Sequence, residues 1–175
     1  PPPMDALYLG GGFPETHAKE LSENIRYRNR LKTLAETGFP IYAECGGLMY
    51  LGNALEMLEK TYPMVGIFPL IFGLHKKPQG HGYTINKVIG SNPFFSVGTE
   101  IKGHEFHYSR ATHAQGDLDC LVFHVQRGAG LMDGKDGICF KNVLATYTHI
   151  HALGTPSWAK AMVDAAISFK RSLRD

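Results

Sequence analysis

One cysteine stands in a sequence context that suits a nucleophile. Residues 41–51 read Ile-Tyr-Ala-Glu-Cys-Gly-Gly-Leu-Met-Tyr-Leu, so an apolar run ends at Cys45 and two glycines follow it. A nucleophile at a strand-to-helix turn needs small neighbours because the backbone is crowded there. The helix that follows is expected to lower the thiol pKa, and the N–H of Gly46 is placed to donate to a developing oxyanion. We predict that Cys45 is a catalytic nucleophile; a buried structural cysteine is the alternative.

A nucleophilic thiol needs a base, and His149 is the best placed of the nine histidines. It follows the apolar run 143–148, where a predicted strand gives way to a loop, and α/β sheets present their chemistry at such points. His151 lies two residues further on and would share a face with His149 in an extended segment. A metal site is disfavoured because this His-x-His pair has no acidic or cysteine ligand at supporting spacing. We therefore predict that His149 is the general base and that no metal is bound.

Three consecutive glycines, Gly10 to Gly12, form a second feature with chemical potential. They follow a short apolar run at residues 5–9, and they allow the backbone to approach a ligand closely. A plain tight turn is the alternative interpretation. A nucleotide-binding loop is disfavoured because the segment matches neither G-x-G-x-x-G nor a phosphate-binding loop that ends in Lys-Ser/Thr.

The elements that must position these residues begin with an alternation of strands and helices. The spacing of apolar residues predicts a helix over residues 14–37, which ends at Gly38. Strands are predicted over residues 5–9 and 40–44, and a second helix over residues 46–56. This order is typical of an α/β protein with parallel strands.

The second half of the chain is richer in predicted strands. They cover residues 83–89, 99–108, 118–126 and 138–148, with a hairpin turn at residues 133–137 between the last two. A closing helix is predicted to start with Thr155 as N-cap and Pro156 at the first helical position. Its predicted buried residues are Ala159, Met162, Val163, Ala166 and Phe169. The predicted fold is α/β, with a mixed, largely parallel central sheet and helices on both faces.

Residues 103–109 (Gly-His-Glu-Phe-His-Tyr-Ser) divide into two sets if the segment is extended. One face of the strand would carry Glu105, His107 and Ser109, and the other would carry His104, Phe106 and Tyr108. On the residues alone, the first set is a polar stripe that faces the surface of a half-buried strand.

Length and composition indicate one globular domain. The chain has 175 residues, of which 43% are hydrophobic, and its formal net charge of +2 gives no argument for nucleic acid as a partner. The apolar stretch at residues 65–74 is too short to span a bilayer, and no secretory leader is recognised. Cys120 and Cys139 are assigned to the core or the sheet, and the absence of a CxxC pair favours thiols in a reducing, cytoplasmic setting. Residues 1–4 are interpreted as a linker or an artificial start, and residues 5–175 as the domain.

Four segments in order resemble one known family across nearly the whole chain. They are Leu-Gly-Gly-Gly-Phe-Pro-Glu (9–15), Tyr-Ala-Glu-Cys-Gly-Gly-Leu-Met-Tyr-Leu (42–51), Gly-His-Glu-Phe-His-Tyr-Ser (103–109) and Ala-Thr-Tyr-Thr-His-Ile-His (145–151). Together they resemble the glutamine amidotransferase domain of the cobyrinic acid a,c-diamide synthase family. The resemblance implies a class I glutamine amidotransferase fold with a flavodoxin-like core.

The resemblance also implies a reaction. Cys45 would attack the side-chain amide of glutamine, His149 would move the protons, and a glutamyl thioester would form and be hydrolysed. Gly11 and Gly12 would complete an oxyanion hole with Gly46, and the segment His107-Tyr108-Ser109 would line the glutamine pocket. We hold this pocket and the plain polar stripe as equal alternatives for residues 107–109. The ammonia would pass to an ATP-dependent synthetase partner, which amidates carboxylates of a tetrapyrrole in cobalamin biosynthesis.

This sequence departs from the family in two places. Many such amidotransferases carry an acidic residue two positions after the catalytic histidine, where this chain has His151; Glu105 and Glu44 are the candidates for an orienting acid. The second departure is at the start of the chain, where the family usually has a further strand and helix that this sheet would lack. We find no phosphate-binding loop, so no cofactor is expected in this domain, and ATP and Mg²⁺ are expected in the synthetase half.

Two other functions remain open on the sequence. The first is a non-catalytic, amidotransferase-like module that binds and organises a synthetase partner. The second is a different cysteine hydrolase on a related α/β fold, which the segment at residues 103–109 argues against.

Overall fold

The computed structural model describes residues 4–114 and 120–173. Its helices are a 3₁₀ turn (Pro14–His17), α1 (Ala18–Glu23), α2 (Ile25–Glu36), α3 (Gly46–Leu51) and α4 (Ser157–Ser172). Its strands are β1 (Leu7–Leu9), β2 (Ile41–Glu44), β3 (Ala54–Met57), β4 (Lys60–Pro63), β5 (Leu70–Leu74), β6 (Gly80–Val88), β7 (Glu100–His107), β8 (Ser109–Ala114), β9 (Leu121–Arg127), β10 (Lys135–Phe140), β11 (Val143–Thr146) and β12 (His149–Ile150). None of these helices is long and apolar enough to cross a membrane.

The main sheet is mixed, and its parallel part is confined to one end. Its eight strands lie in the order β1-β2-β11-β10-β9-β6-β7-β12, and a second sheet of four strands lies in the order β4-β3-β5-β8. In the main sheet only β1–β2 and β2–β11 pair in parallel. The mixed α/β class is therefore confirmed, whereas the expectation of a largely parallel sheet holds only at this end. The other pairs are antiparallel, and a tight turn joins one of them, β10 and β11.

Helices cover both faces of the parallel end, as predicted. Alternate residues of β2 point to opposite sides, so Ala43 joins a core with Leu31 of α2 while Tyr42 joins a core with Trp158 of α4. All four residues of β2 are buried, and so are all four of β11. Because parallel strands covered on both faces are almost fully apolar, these two runs were readable in the sequence.

The sheet curls back on itself, which matters for the site. Only two residues separate β12 from β11, yet β12 pairs with β7 at the far end of the strand order. In that pairing His149 lies opposite His104. The curl therefore brings the chain after β11 against β7.

Two predicted helices are shorter than the periodicity indicated. The predicted helix over residues 14–37 is broken at Asn24, whose side chain accepts a hydrogen bond from the Tyr27 N–H and so caps α2. The predicted helix over 46–56 was wrong beyond Leu51: residues 54–57 form β3, which pairs with β4 and β5. Gly52 ends this helix where the chain passes close to Phe72, an approach that a Cβ would obstruct.

The strand predictions of the second half are mostly confirmed. β6 and β7 match the predicted strands, and β9 matches the third as far as it is described, because residues 118–119 lie outside the described residues. The hairpin turn is confirmed, with positive φ at Asp133 and Gly134. The strand predicted over 138–148 was wrong in its continuity, since Lys141 has φ of 50° and the chain reverses there between β10 and β11.

The start of α4 and its buried face also differ from expectation. Thr155 does not cap the helix through its side chain, because its hydroxyl contacts the backbone of Lys102. None of the predicted buried residues is fully buried: Met162, Ala166 and Phe169 are half-buried, and Ala159 and Val163 are exposed. The helix packs instead through a stripe shifted by about a third of a turn: Trp158, Ala161, Met162, Ala165 and Phe169.

Candidate active site

Three loops meet at the carboxyl edge of the parallel strands. The glycine turn follows β1, Cys45 follows β2, and His149 lies three residues beyond the end of β11. A Cβ on Gly11 would collide with the imidazole of His149, and a Cβ on Gly46 would collide with the backbone of Gly12. The structure thus packs the glycine turn against both His149 and the residue that follows Cys45, and a side chain at Gly11 or Gly46 would obstruct this packing.

Cys45 sits in a strained strand-to-helix turn. Its φ of 45° and ψ of −100° lie in a region that residues other than glycine rarely adopt. The Cys45 N–H donates to the Thr146 carbonyl (2.8 Å), and its own carbonyl accepts from the Met49 N–H (3.0 Å). The turn that the sequence predicted is therefore present, with backbone hydrogen bonds holding it on both sides.

The environment of the Cys45 thiol differs from the expectation. Only 4% of Cys45 is exposed. Burial raises the pKa of the thiol to about 12, although the Gly46 N–H opposes this; the carboxylates of Glu15 and Glu44 act in the same direction as burial. The expectation that the helix N-terminus lowers this pKa was wrong, because α3 is short and the sulfur is largely removed from water. Cys45 therefore rests as a neutral thiol.

His149 rests as a neutral imidazole. Burial lowers its pKa, and the neighbouring His104 and His107 lower it further. Its ring stacks on that of His104, with centroids 4.9 Å apart. A neutral imidazole can accept a proton from a thiol, whereas an imidazolium cannot.

Glu44 is the carboxylate that approaches His149. Its Oε2 lies 3.7 Å from Nδ1 of His149 and accepts a hydrogen bond from the Tyr8 hydroxyl (2.8 Å). Its Oε1 accepts from the Ile150 N–H (3.1 Å). Burial raises the pKa of Glu44, while these hydrogen bonds lower it. Glu44 thus joins β1, β2 and β12 behind the imidazole, in a position to orient it.

Glu105, the other candidate acid, serves a different histidine. It accepts hydrogen bonds from the N–H groups of Ala129 and Gly130, and it lies 3.2 Å from Nε2 of His107. Burial alone would raise the pKa of Glu105, but these hydrogen bonds outweigh it and lower the pKa. Nδ1 of His107 is 2.9 Å from the Ser109 carbonyl. The geometry therefore favours Glu44, and not Glu105, as the orienting acid.

The polar stripe on β7 and β8 faces inward. Glu105, His107 and Ser109 are buried, so the interpretation as a surface stripe was wrong. The His107 ring stacks on Tyr147 at 3.7 Å, and the Tyr147 hydroxyl is 3.0 Å from the Ser109 hydroxyl. Tyr108 faces the opposite side and is exposed. The two-set division of this segment is confirmed.

Two hollows lie in this region of the molecule, one at the glycine turn and one at His107. One, of about 450 Å³, lies against the glycine turn and the start of α3 and is lined mainly by apolar side chains, including Phe13 and Tyr50. The other, of about 200 Å³, lies beside His107 and Tyr147 and is more polar. Its lining also includes Gln79, Arg110, Gly130 and Asp133. The second hollow has the charges that a zwitterionic ligand would meet.

Asp136 is a buried carboxylate that sequence reasoning missed. It accepts hydrogen bonds from the Thr146 hydroxyl (2.7 Å), the Gly137 N–H (2.8 Å) and the Tyr147 N–H. Burial raises its pKa to about 6. It holds the end of β11, from which the chain continues to His149. Its sequence context, Asp-Gly-Lys-Asp-Gly, is that of a turn, and so gave no signal of burial.

The remaining candidates lie apart from these loops. Cys120 and Cys139 are free thiols that pack against the two cores, as predicted. His151 is exposed, and its Nδ1 accepts from the Gly154 N–H. Within the described part of the chain, no three His, Cys, Asp or Glu side chains are grouped so that they could hold a metal ion.

Solved structures share this fold. A glutamine amidotransferase superposes with a TM-score of 0.63 at 15% identity, covering 93% of this chain and 79% of the other. PurLQS from Thermotoga maritima superposes with a TM-score of 0.57 at 16% identity, covering 93% and 79%. At such identities the likeness concerns the fold, which is that of glutamine amidotransferases.

Sequence comparison defines the family. Residues 1–157 match the CobB/CobQ-like glutamine amidotransferase domain, and the chain belongs to this family. It is 42% identical to the cobyrinate a,c-diamide synthase of Archaeoglobus fulgidus, covering 97% of this chain and 36% of that protein. It is 42% identical to the same enzyme of Magnetococcus marinus, covering 90% and 34%. The chain thus spans about a third of the length of these relatives, and it is a glutamine amidotransferase domain.

Proposed function

We propose that this chain is the glutaminase half of a cobyrinic acid a,c-diamide synthase. It would hydrolyse glutamine and supply the ammonia for ATP-dependent amidation of tetrapyrrole carboxylates in cobalamin biosynthesis. One observation carries the proposal: a strained cysteine, a neutral histidine backed by Glu44, and a glycine turn converge at one sheet edge. The acceptor and the ATP requirement rest on the names of the relatives.

The proposed chemistry starts from a neutral thiol and a neutral imidazole. Nε2 of His149 takes the thiol proton as Sγ of Cys45 attacks the amide carbon of glutamine, and the carbonyl electron pair moves to oxygen. The N–H of Gly46 and one from Gly11 or Gly12 would bind this oxyanion. Nε2 returns the proton to the departing nitrogen, which leaves as ammonia. Water, deprotonated by Nε2, then hydrolyses the thioester to glutamate and restores the thiol.

The resting protonation states have a consequence for this mechanism. Because the thiol pKa is about 12 and the imidazole is neutral, no thiolate-imidazolium pair waits in the empty site. Proton transfer therefore accompanies attack on bound glutamine. Glu44 stabilises the imidazolium that forms, since its carboxylate lies beside Nδ1. This arrangement protects the thiol from other electrophiles.

We place the glutamine backbone in the hollow of about 200 Å³. The Arg110 guanidinium suits the α-carboxylate, and Asp133 suits the α-ammonium group. His107 contributes to the lining, and Ser109 supports Tyr147 from behind. Tyr108 would take part only through its backbone, since its side chain lies on the other face of the strand.

Glutamate release tests the proposal. The chain mixed with glutamine is expected to form glutamate slowly, and Cys45→Ala is expected to abolish this activity. Cys139→Ala is the matched control, because Cys139 is a second free thiol, which packs against the core under α4. Equal activity in Cys45→Ala and the parent would refute the nucleophile. No hydrolysis by the parent, even with a synthetase partner bound, would instead favour the non-catalytic module.

A further inference from the structure

The outer face of β6 and β7 exposes an unusual number of aromatic rings. Tyr83 is 73% exposed, Phe106 is 40% exposed and Tyr108 is 37% exposed. Two exposed histidines, His81 and His104, lie among them. We call these five residues the aromatic face. Exposed apolar side chains that are grouped in this way, and not scattered, mark interaction surfaces.

The rings are ordered by the pairing of the two strands. His81 lies opposite Phe106, and Tyr83 lies opposite His104. The Phe106 ring is 5.4 Å from that of His81 and 5.7 Å from that of Tyr108. This edge-on packing holds the rings in place without burying them, and a surface with few rotatable side chains loses little entropy when a partner binds.

The aromatic face runs directly into the site. His104 stacks on His149, with centroids 4.9 Å apart and planes 15° from parallel. This contact exists because the curl of the sheet pairs β12 with β7. Ammonia released beside His149 would therefore emerge at the edge of the aromatic face.

We propose that the aromatic face is the surface on which the ATP-dependent synthetase half docks. This rests on the proposed function, because ammonia is the product that must reach the acceptor without loss to solvent. The relatives have room for such a partner, since this chain covers 36% of the Archaeoglobus fulgidus protein. A surface that covers these rings would enclose the neighbourhood of His149 as well.

The chemistry of the face describes the surface that it fits. Its centre is aromatic, which suits an apolar patch on the synthetase half. Its margin carries a cation: the Arg127 guanidinium lies 5.8 Å from the Tyr83 ring centroid. We therefore expect an apolar centre with a carboxylate at its rim on the partner, placed to meet Arg127.

The test separates docking from glutamine hydrolysis. The double variant Tyr83→Ser/Phe106→Ser is made in the complete synthetase, whether its two halves are one polypeptide or two. Tetrapyrrole amidation is measured with glutamine and, separately, with ammonium chloride as nitrogen source. Phe140→Ser is the matched control, because Phe140 is 36% exposed on β10 and lies outside the aromatic face. Circular dichroism confirms folding, which we expect because the substituted side chains are exposed.

The expected result is a loss of about tenfold or more in glutamine-driven amidation, since aromatic anchors dominate interface energies. Ammonia-driven amidation and the release of glutamate by the chain alone stay unchanged, and Phe140→Ser behaves as the parent. Unchanged glutamine-driven amidation in the double variant would overturn the docking proposal. The proposal would also be overturned if the parent chain dimerised through the aromatic face and the double variant, which no longer dimerises, kept its glutamine-driven amidation. Failure of the proposed function would give a different result, because glutamate release would then persist in Cys45→Ala.

Discussion

The described residues contain two carboxylate–imidazole pairs, and these pairs differ in how completely their hydrogen-bonding groups are satisfied. In the Glu105–His107 pair the atoms are 3.2 Å apart and both side chains are at most 3% exposed. In the Glu44–His149 pair the separation is 3.7 Å and 22% of the His149 side chain is exposed. A sealed pair with every partner in place holds structure together, whereas an open pair can exchange a proton with a ligand. We therefore assign the first pair to architecture and the second to chemistry.

The surroundings of the two pairs support this division. Glu105 fastens the loop at residues 128–130 to β7 through two backbone N–H groups. The His149 ring lies instead against Gly11. The pKa of Glu105 is lowered by its hydrogen bonds, while the pKa of Glu44 is raised by burial. Distance alone would assign the catalytic role to Glu105 and His107, whereas exposure and hydrogen bonding lead us to propose Glu44 and His149.

The largest expected effects come from replacing the histidine of each pair. We expect His149→Asn to lower glutaminase kcat by roughly 10²–10⁴-fold, the usual contribution of a general base, with little change in stability. His107→Asn is expected to lower the free energy of unfolding by about 1–3 kcal/mol, because it leaves Glu105 buried with one partner fewer. Steady-state kinetics and urea unfolding of both variants check this. Equal losses of kcat in two equally stable variants would show that the division is wrong.

The glycine turn offers a sharper test within three residues. Gly11→Ala is expected to lower kcat by about 100-fold, since its Cβ would displace the His149 ring. Gly12→Ala retains its N–H and meets no heavy atom within 4 Å, so the rate is expected to stay within about threefold of the parent. The two variants are compared by kcat for glutamine. A Gly12→Ala enzyme as impaired as Gly11→Ala would contradict the packing of this turn against His149.

Replacing each carboxylate by its amide separates orientation from stability. Glu44→Gln is expected to lower kcat by about 10–100-fold. Removing a carboxylate that orients a metal-bound histidine has an effect of this size in metalloenzymes. Glu105→Gln is expected to leave kcat within a few-fold of the parent and to destabilise the fold by about 1–3 kcal/mol. Steady-state kinetics and urea unfolding of both variants check these expectations. A Glu44→Gln enzyme with the parent kcat would remove Glu44 from the mechanism.

The smallest expected effect is a pH dependence of stability. The folded-state pKa of Glu105 lies below its ordinary value of 4.5, so the ionised group stabilises the fold above pH 4.5. This contribution is lost as the pH falls through the folded-state pKa. The difference in unfolding free energy between the parent and Glu105→Gln should therefore shrink as the pH is lowered from 7 to 3. A constant difference would contradict the lowered pKa.

Local patterns predicted the parts of the site that local sequence determines. The turn at Cys45 was readable because an apolar run followed by two glycines leaves the backbone few alternatives. The β-α-β start of the fold was readable for the same reason. The end of α3 at Leu51 was not, because β3 forms through pairing with β5, which lies later in the chain.

Long-range packing determines the rest, and local sequence patterns do not reveal it. The choice of Glu44 over Glu105 depends on the curl that carries β12 to β7. The thiol pKa of Cys45 depends on burial by several elements. A prediction from the helix N-terminus alone therefore gave the wrong direction for the pKa shift. Asp136 was missed because a turn-like sequence was drawn into the interior by Thr146 and Tyr147.

Covalent trapping examines whether Cys45 is the nucleophile and whether His149 activates it. The chain is treated with a glutamine analogue that carries an electrophilic carbon in place of the amide, and the modified peptide is identified by mass spectrometry. We predict one adduct, on Cys45, that forms much more slowly in His149→Asn and is prevented by excess glutamine. Cys120 and Cys139 serve as internal controls in the same chain. An adduct on either of these, or equal labelling of Cys45 with and without His149, would contradict the account.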